Sequence, residues 1–301
     1  MSRAVVERPK SIVGAPVRRK PRDDHAWRHP LRLLGLVVVA IVFGAPTLWM
    51  LLMSFKHTPE ILADAVPVSW RSVVPSHPTL ANYVTILTQF GFGKNLANSA
   101  IITVCQVIGS VATSTIAGYA FARLRFRGRD ALFLVCLAAA FVPAEAIFLP
   151  ELRLVSALGL NDSYAGAFLP FMFSPFAIFL MRQAFQDLPH EMFEAASLDG
   201  LGVWRAFLRI GLPNVKASLV TVTLVQFIWA WNAYIWPLTI LQDPEKQTAQ
   251  VAAAFFKTVP NHPMNGELMA ALSLTCIPLV VLGMALQKHY IRGLVMTGSK
   301  G

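Results

Sequence analysis

Six separate apolar runs of bilayer length constrain this chain more than any other feature of its sequence. They occupy residues 33–53, 96–122, 131–150, 164–181, 217–241 and 268–286. At a helical rise of about 1.5 Å per residue, runs of this length cross roughly 30 Å of hydrocarbon. Glu145 is the one charged residue within them. Lipid offers no partner to an unpaired backbone N–H or C=O, so such segments cross as helices. The sequence therefore predicts an all-α, polytopic membrane protein with six transmembrane helices.

Composition agrees. Of 301 residues, 55% are hydrophobic and 14% are charged, against about 25% charged in a soluble domain. Mean hydropathy is +0.55. Three cysteines exclude a disulfide scaffold, and the apolar content excludes a disordered chain. Cys105, Cys136 and Cys276 fall within the runs without a paired spacing, as small packing residues.

The net charge of +10 needs a topology before it means anything. With the N-terminus cytoplasmic and six spans, twenty of the twenty-six Lys and Arg lie on the cytoplasmic side. Eight of the sixteen acidic residues lie there too, leaving +12 inside and −2 outside. Arg123, Arg125, Arg127 and Arg129 crowd one very short loop, where the positive-inside bias is strongest. The basic character is an orientation signal, with both termini cytoplasmic, and gives no support to nucleic-acid binding.

Residues 1–30 are polar, basic and outside the apolar runs, as expected of a disordered segment held loosely at an anionic membrane surface. Residues 31–301 form the membrane domain. The first run begins late and is longer than the apolar core of a signal peptide, so it is expected to remain as an anchor.

One loop is too long for a connector. Between the fourth and fifth runs, residues 187–213 carry a helical pattern. Asp187 suits a cap with Pro189 in the first turn, and Glu191 and Glu194 sit near the positive end of the helix dipole. Leu188, Met192, Ala195 and Ala196 recur at helical spacing as a small apolar face. Gly200 suits the left-handed residue that stops a helix. A second short helix, 203–210, is expected to end before Pro213, because proline disfavours the α conformation in its predecessor. Two readings remain open at this point: an amphipathic helix lying on the membrane, or a helix presented to another protein.

The spacing Glu194-Ala195-Ala196, three residues, Gly200, nine residues, Ile210, one residue, Leu212-Pro213 resembles the EAA loop of bacterial ABC importer permeases. Asn98-Ser99, Gly118-Tyr119-Ala120-Phe121-Ala122-Arg123, Trp231-Asn232 and the tail from Arg292 to Gly301 are similar to the carbohydrate-uptake subfamily, in its maltose-permease G-type half. The resemblance runs from about residue 30 to the C-terminus. It implies a type I importer permease fold in which Glu194, Ala195, Ala196, Leu198, Asp199, Gly200, Ile210, Leu212 and Pro213 form a coupling helix and turn docked in a separate cytoplasmic ATPase. It further implies a second permease subunit, two ATPase subunits and an external solute-binding protein as partners, with a sugar as the solute.

The chain carries no G-x-x-x-x-G-K-[ST] phosphate loop, so ATP and Mg belong to the partner ATPase, and no cofactor is expected here. No nucleophile, acid–base or metal-ligand cluster emerges, and His25, His29, His57, His77, His190, His262 and His289 are scattered. The chain is expected not to be an enzyme.

For the solute path, Trp229, Asn232 and Trp236 are spaced to share one helical face. Aromatic faces against sugar C–H groups, with an amide for hydroxyls, suit carbohydrate passage, but the same residues also suit an interfacial aromatic belt and interhelical packing. Pro237 is expected to kink that helix. Gln226 and Gln106 are further polar candidates, and Glu145, near the outer end of its run, is a candidate gate or partner contact. A polyol or glycerol phosphate is the alternative solute. An ion-coupled carrier would bury several ionisable groups at mid-membrane, and one peripheral Glu argues against it.

Overall fold

The computed structural model describes residues 28–64, 66–67, 69–258 and 265–298. The basic N-terminal segment up to residue 27, His25, His262 and the last residues of the tail lie outside them. Every regular element among the described residues is helical. In chain order they are α1 (Arg28–Ser54), α2 (Thr58–Ala63), α3 (Ala81–Thr88), α4 (Phe92–Arg123), α5 (Arg129–Ala139), α6 (Ala144–Ala157), α7 (Tyr164–Phe168) and α8 (Pro175–Gln186). There follow α9 (His190–Leu198), α10 (Val203–Ala206), α11 (Leu212–Asn214), α12 (Lys216–Trp231), α13 (Ile235–Ile240), α14 (Ala249–Thr258) and α15 (Asn265–Gly298). Two compact units divide at Leu48 and Trp49: the first holds most of α1, and the second holds the remaining helices and both candidate sites.

Three helices are long and apolar enough to cross a bilayer unaided: Arg32–Ser54, Phe92–Arg123 and Gly266–Ala285. Three further pairs reach span length only when combined across a bend: Arg129–Ala139 with Ala144–Ala157 at 99°, Tyr164–Met172 with Pro175–Gln186 at 43°, and Val203–Asn214 with Lys216–Trp231 at 79°. The first, second and sixth runs are therefore single long helices, and the third, fourth and fifth are divided, the fifth between α12 and α13, where the sequence pattern suggested unbroken spans. The 79° bend lies ahead of the fifth run, where the loop meets α12.

Each break has a local cause. In the third run, Pro143 drives Val142 out of the α conformation, so α5 ends at Ala139 and α6 starts afresh after Pro143. Pro150, expected to end the span, instead lies inside α6, which runs on to Ala157. In the fourth run Pro175 opens α8, and the Ser174 hydroxyl caps it by accepting the Ala177 N–H at 3.3 Å. The fifth run stops at Trp231, where the Asn232 side-chain amide donates back to the Ile228 carbonyl at 2.8 Å. Pro237 is not the kink: it is the third residue of α13, in a first turn whose N–H groups need no intrahelical partner.

The core is organised around α4. Ser110, Ser114 and Gly118 recur every fourth residue along one buried stripe. Small residues let helices approach closely in a membrane, where packing rather than hydrophobic transfer drives association. At Gly118 the approach is close enough that an added Cβ would sit 2.6 Å from the Met181 Cβ and 2.8 Å from the Arg182 backbone N. Around this pair a buried cluster gathers Tyr119, Met181, Phe185, Phe207, Val215 and Val222. A second cluster joins α3, α14 and α15 to the start of α4 through Ile86, Phe92, Ala253, Phe256 and Ala270.

At the same end as Phe92, Lys56 is fully buried. Its Nζ lies 2.6 Å from Asp64 Oδ2 and donates to the Arg71 carbonyl at 2.7 Å. Asn82 donates to the carbonyls of Ser54 and Lys56, each at 2.8 Å. The ionic network satisfies a charge that would otherwise be costly to bury. Hydropathy alone placed this segment in a plain loop.

Candidate coupling loop and membrane cavity

The long loop folds as two helical pieces around a sharp turn. Asp187 does not cap the second helix; it terminates α8, its N–H donating to the Gln183 carbonyl at 3.0 Å. Pro189 takes the capping position of α9 with extended geometry and no side-chain bond. Leu188, the residue before a proline, is thereby kept from continuing the helix. Glu191 stands in the first turn of α9.

At its end, α9 closes in a Schellman motif. Gly200 adopts φ +75, its N–H donating to Ser197 O at 3.1 Å, and Leu201 N–H donates to Ala196 O at 2.9 Å. Nothing lies within 4 Å of a Cβ built there, so the requirement for glycine is conformational and not one of space.

The following segment passes through Pro213 where the sequence predicted a stop. After α10 the chain widens into a π-helical turn, Phe207–Gly211, before α11. The wider turn accommodates the proline ring, and the Ile210 carbonyl takes the Asn214 side-chain amide at 2.8 Å. Leu212 remains helical, at φ −59 and ψ −43, ahead of Pro213.

Of the predicted apolar face, Ala196 is buried, Leu188 and Met192 are half-buried, and Ala195 is exposed. Phe193 takes the inner place instead, packing on the cluster around Tyr119 and Phe185. Outward, Glu194, Ala195 and Asp199 are open to solvent, and Leu198 is 90% exposed. Val203, Trp204 and Leu208 are exposed on the next pieces of the same loop. Ile210 and Leu212 are half-buried. Among the described residues this is an apolar surface with a carboxylate rim, covered by nothing in this chain.

The aromatic residues of the fifth run divide differently from the expected single face. A cavity of about 190 Å³ is lined by Ser99, Thr103, Gln106, Trp229, Trp236 and Gln250, among others. The Thr248 hydroxyl, also at its wall, is buried without a partner. Trp229 and Trp236 thus reach one cavity although the helix between them is interrupted. Asn232, spent on its own helix end, is exposed and does not line it. Gln226 is buried with an unpaired Nε2, outside the lining.

The two tryptophans differ in role. Trp236 is 6% exposed, donates to the Gly166 carbonyl at 3.1 Å and meets Phe148 and Phe171 edge-on. Trp229 is 60% exposed and stacks on Phe176 with planes 20° apart. Of these lining residues, Gln106 was a polar candidate from the sequence and Ser99 belonged to the Asn98-Ser99 resemblance, whereas Thr103 and Gln250 were not singled out. Gln250 comes from α14, its Nε2 donating to the Trp231 carbonyl and its Oε1 accepting from Ser99 at 3.2 Å. Glu145 stands exposed in the first turn of α6 with no hydrogen bond or ion pair among the described residues.

Comparison with known proteins matches these features to one family. The model of the binding-protein-dependent transport system inner membrane component matches residues 109–295. The arabinooligosaccharides transport system permease protein AraQ of Halalkalibacterium halodurans is 31% identical over 286 residues, covering 95% of this chain and 100% of that one. The diacetylchitobiose uptake system permease protein NgcG of Streptomyces coelicolor is 31% identical, over 91% of this chain and 88% of its own. The sn-glycerol-3-phosphate transport system permease protein UgpE of Yersinia pestis is 36% identical, over 68% and 73%. A chain in the crystal structure of a bacterial ABC transporter involved in the import of the acidic polysaccharide alginate has the same fold, with a TM-score of 0.77 over 90% of this chain and 99% of that one at 22% identity. The chain is a multi-pass membrane permease and belongs to the family of binding-protein-dependent transport system inner membrane components.

Proposed function

We propose that this chain is one permease half of an ATP-driven, binding-protein-dependent importer of carbohydrate. Its loop 187–213 docks on a separate ATPase, which holds the ATP and Mg, and both termini face the cytoplasm. A second permease subunit and an extracytoplasmic binding protein complete the assembly. The observation that carries the reading is the outward face of the loop: Leu198, Val203, Trp204 and Leu208 exposed beside Glu194, on a helix closed by Gly200. An apolar patch of that kind marks a protein contact.

Carbohydrate is favoured over glycerol phosphate by the cavity. Its lining carries hydroxyls, amides and two indoles and no Lys or Arg to meet a phosphate. The 36% identity to UgpE is the observation favouring the second reading. Purified with its partner subunits, wild-type protein is expected to retain the ATPase, and Gly200→Asp and Glu194→Lys are expected to lose it. Normal ATPase binding by both variants contradicts the docking assignment. Competition of uptake by neutral oligosaccharides and not by glycerol phosphate supports the solute class, and the reverse selects the second reading.

A further inference from the structure

We infer that Arg123, the last residue of α4, is the positioning residue that makes the coupling helix α9 move as one body with α4 and α8. The inference rests on the docking reading above and assigns what lies behind the docked surface.

The guanidinium lies against two helices that α4 itself does not continue into. Its Nη2 donates to the carbonyls of Phe185 and Leu188, each at 2.5 Å. The Phe185 carbonyl lies in the last turn of α8 and that of Leu188 two residues past its end, where the negative end of the helix dipole favours a cation. Its Nη1 donates to His190 Nδ1 at 3.1 Å, on the first residue of α9. Its plane rests on the Phe193 ring, with Cζ 4.4 Å from the centroid, one turn further along α9.

One turn back on α4, Tyr119 extends the same grip. Its ring meets Phe185 of α8 at 5.3 Å, Phe193 of α9 at 6.2 Å and Phe207 of the π-helical turn at 5.0 Å. Gly118 beside it brings α4 and α8 into backbone contact. The segment 118–123 therefore touches α8, α9 and the π-helical turn that follows α10. Between α8 and α9 the chain has only Asp187, Leu188 and Pro189. The N–H groups of Asp187 and Leu188 still donate back into α8, to Gln183 O at 3.0 Å and Phe185 O at 3.4 Å, but Pro189 has no N–H to carry the ladder into α9. Without Arg123 that linker is a hinge; with it, the hinge is bridged by three hydrogen bonds and a stacked ring.

A lysine cannot replace this. One ammonium cannot reach both carbonyls and also lie flat on Phe193, whereas the planar fork does both. The charge is thus not the functional element; the geometry is.

The test uses the whole transporter, with both permease halves, the ATPase subunits and the binding protein, in proteoliposomes. In Arg123→Gln the ATPase subunits are expected to remain bound, while solute taken up per ATP hydrolysed falls about tenfold or more, as loss of two charge-assisted hydrogen bonds implies. Arg123→Lys does not restore the ratio. Phe193→Leu, which keeps the apolar contact and removes the ring, gives a smaller fall. Amide exchange over 190–198 rises in Arg123→Gln while that over 100–115 does not. Wild-type uptake per ATP in Arg123→Gln, full rescue by lysine, unchanged exchange in α9, or outright loss of the ATPase subunits would each overturn the inference. Gly200→Asp run alongside separates the two possible failures. If that variant keeps the ATPase, the docking reading fails and this inference with it; if it loses the ATPase while Arg123→Gln couples normally, this inference fails alone.

Discussion

Asp162 and Lys246 form a 2.6 Å ion pair between positions 84 residues apart, tying the loop before α7 to the loop before α14. Asp162 holds a left-handed backbone, φ +51, a conformation Asp and Asn tolerate better than most residues. From there its Oδ1 accepts the Asp243 N–H at 3.1 Å, its own N–H donates to the Ile240 carbonyl at 2.9 Å, and its carbonyl accepts from Lys246 at 3.0 Å.

The Lys246 ammonium and the Asp243 N–H hold the Asp162 carboxyl below the usual carboxylate range, and Asp162 raises Lys246, with Asp243 and Tyr164 the other facing groups. A depressed carboxyl stabilises the fold above its ordinary titration range and loses that contribution as the pH falls through its lowered value; a raised lysine keeps its contribution until the pH climbs past its ordinary range. Asp162→Asn keeps the left-handed backbone and removes the charge. It is expected to lower the thermal unfolding temperature at pH 7 and to do so progressively less at acid pH, as the wild-type carboxyl itself takes up a proton. An equal loss at neutral and acid pH in detergent-solubilised protein contradicts the ionic assignment.

Gly118 is set by space, and Gly283 is not. A Cβ at Gly118 meets Met181 and the Arg182 backbone, while one at Gly283 meets nothing within 4 Å. Gly118→Ala is expected to destabilise by about 1–3 kcal/mol through forced separation of α4 from α8. Gly283→Ala, in the middle of α15, is expected to stabilise by about 0.5–1 kcal/mol. Calorimetric unfolding of the two variants should move in opposite directions.

Removing the Lys56 ammonium strands the Asp64 carboxylate, which it holds at 2.6 Å. Lys56→Met is expected to cost about 3–5 kcal/mol, and the double change with Asp64→Leu to recover a large part of it. A double variant as unstable as the single one would place the cost in packing instead of charge.

The two cavity tryptophans should respond differently. Trp236→Phe loses the bond to the Gly166 carbonyl and lowers stability by about 1–3 kcal/mol. Trp229→Ala leaves stability within about 1 kcal/mol, because the side chain is mostly exposed, and changes the apparent affinity for solute. Unfolding curves beside uptake titrations distinguish the two.

Hydropathy was enough to read the number and order of the spans, because the bilayer imposes one length and one hydrogen-bonding rule on each run. The EAA spacing was legible for the same kind of reason: the left-handed turn at Gly200 needs a particular residue at a particular distance from the helix it ends. The breaks were not legible, because a proline marks strain without saying which side yields. Pro143 breaks a helix, Pro150, Pro213 and Pro278 are carried through one, and Pro237 opens one. Helical periodicity placed Asn232 on a face with Trp229 and Trp236, but its amide competes for the Ile228 carbonyl and ends the helix instead. Arg123 read as a cytoplasmic positive charge and as the end of the Gly118–Arg123 resemblance, with no partner attached to it. Its partners, the carbonyls of Phe185 and Leu188, are backbone groups brought to it by α8, and no side-chain pattern announces them. Lys56 was hidden likewise, among partners from two short segments, α2 with its cap and the turn at Trp70–Ser72.

The most direct measurement is solute uptake into proteoliposomes holding this chain with its partner subunits, made with and without internal ATP and with and without a proton gradient. The account predicts uptake that requires ATP and the binding protein and is indifferent to collapse of the gradient. Uptake that proceeds without ATP and stops when the gradient is dissipated would contradict it.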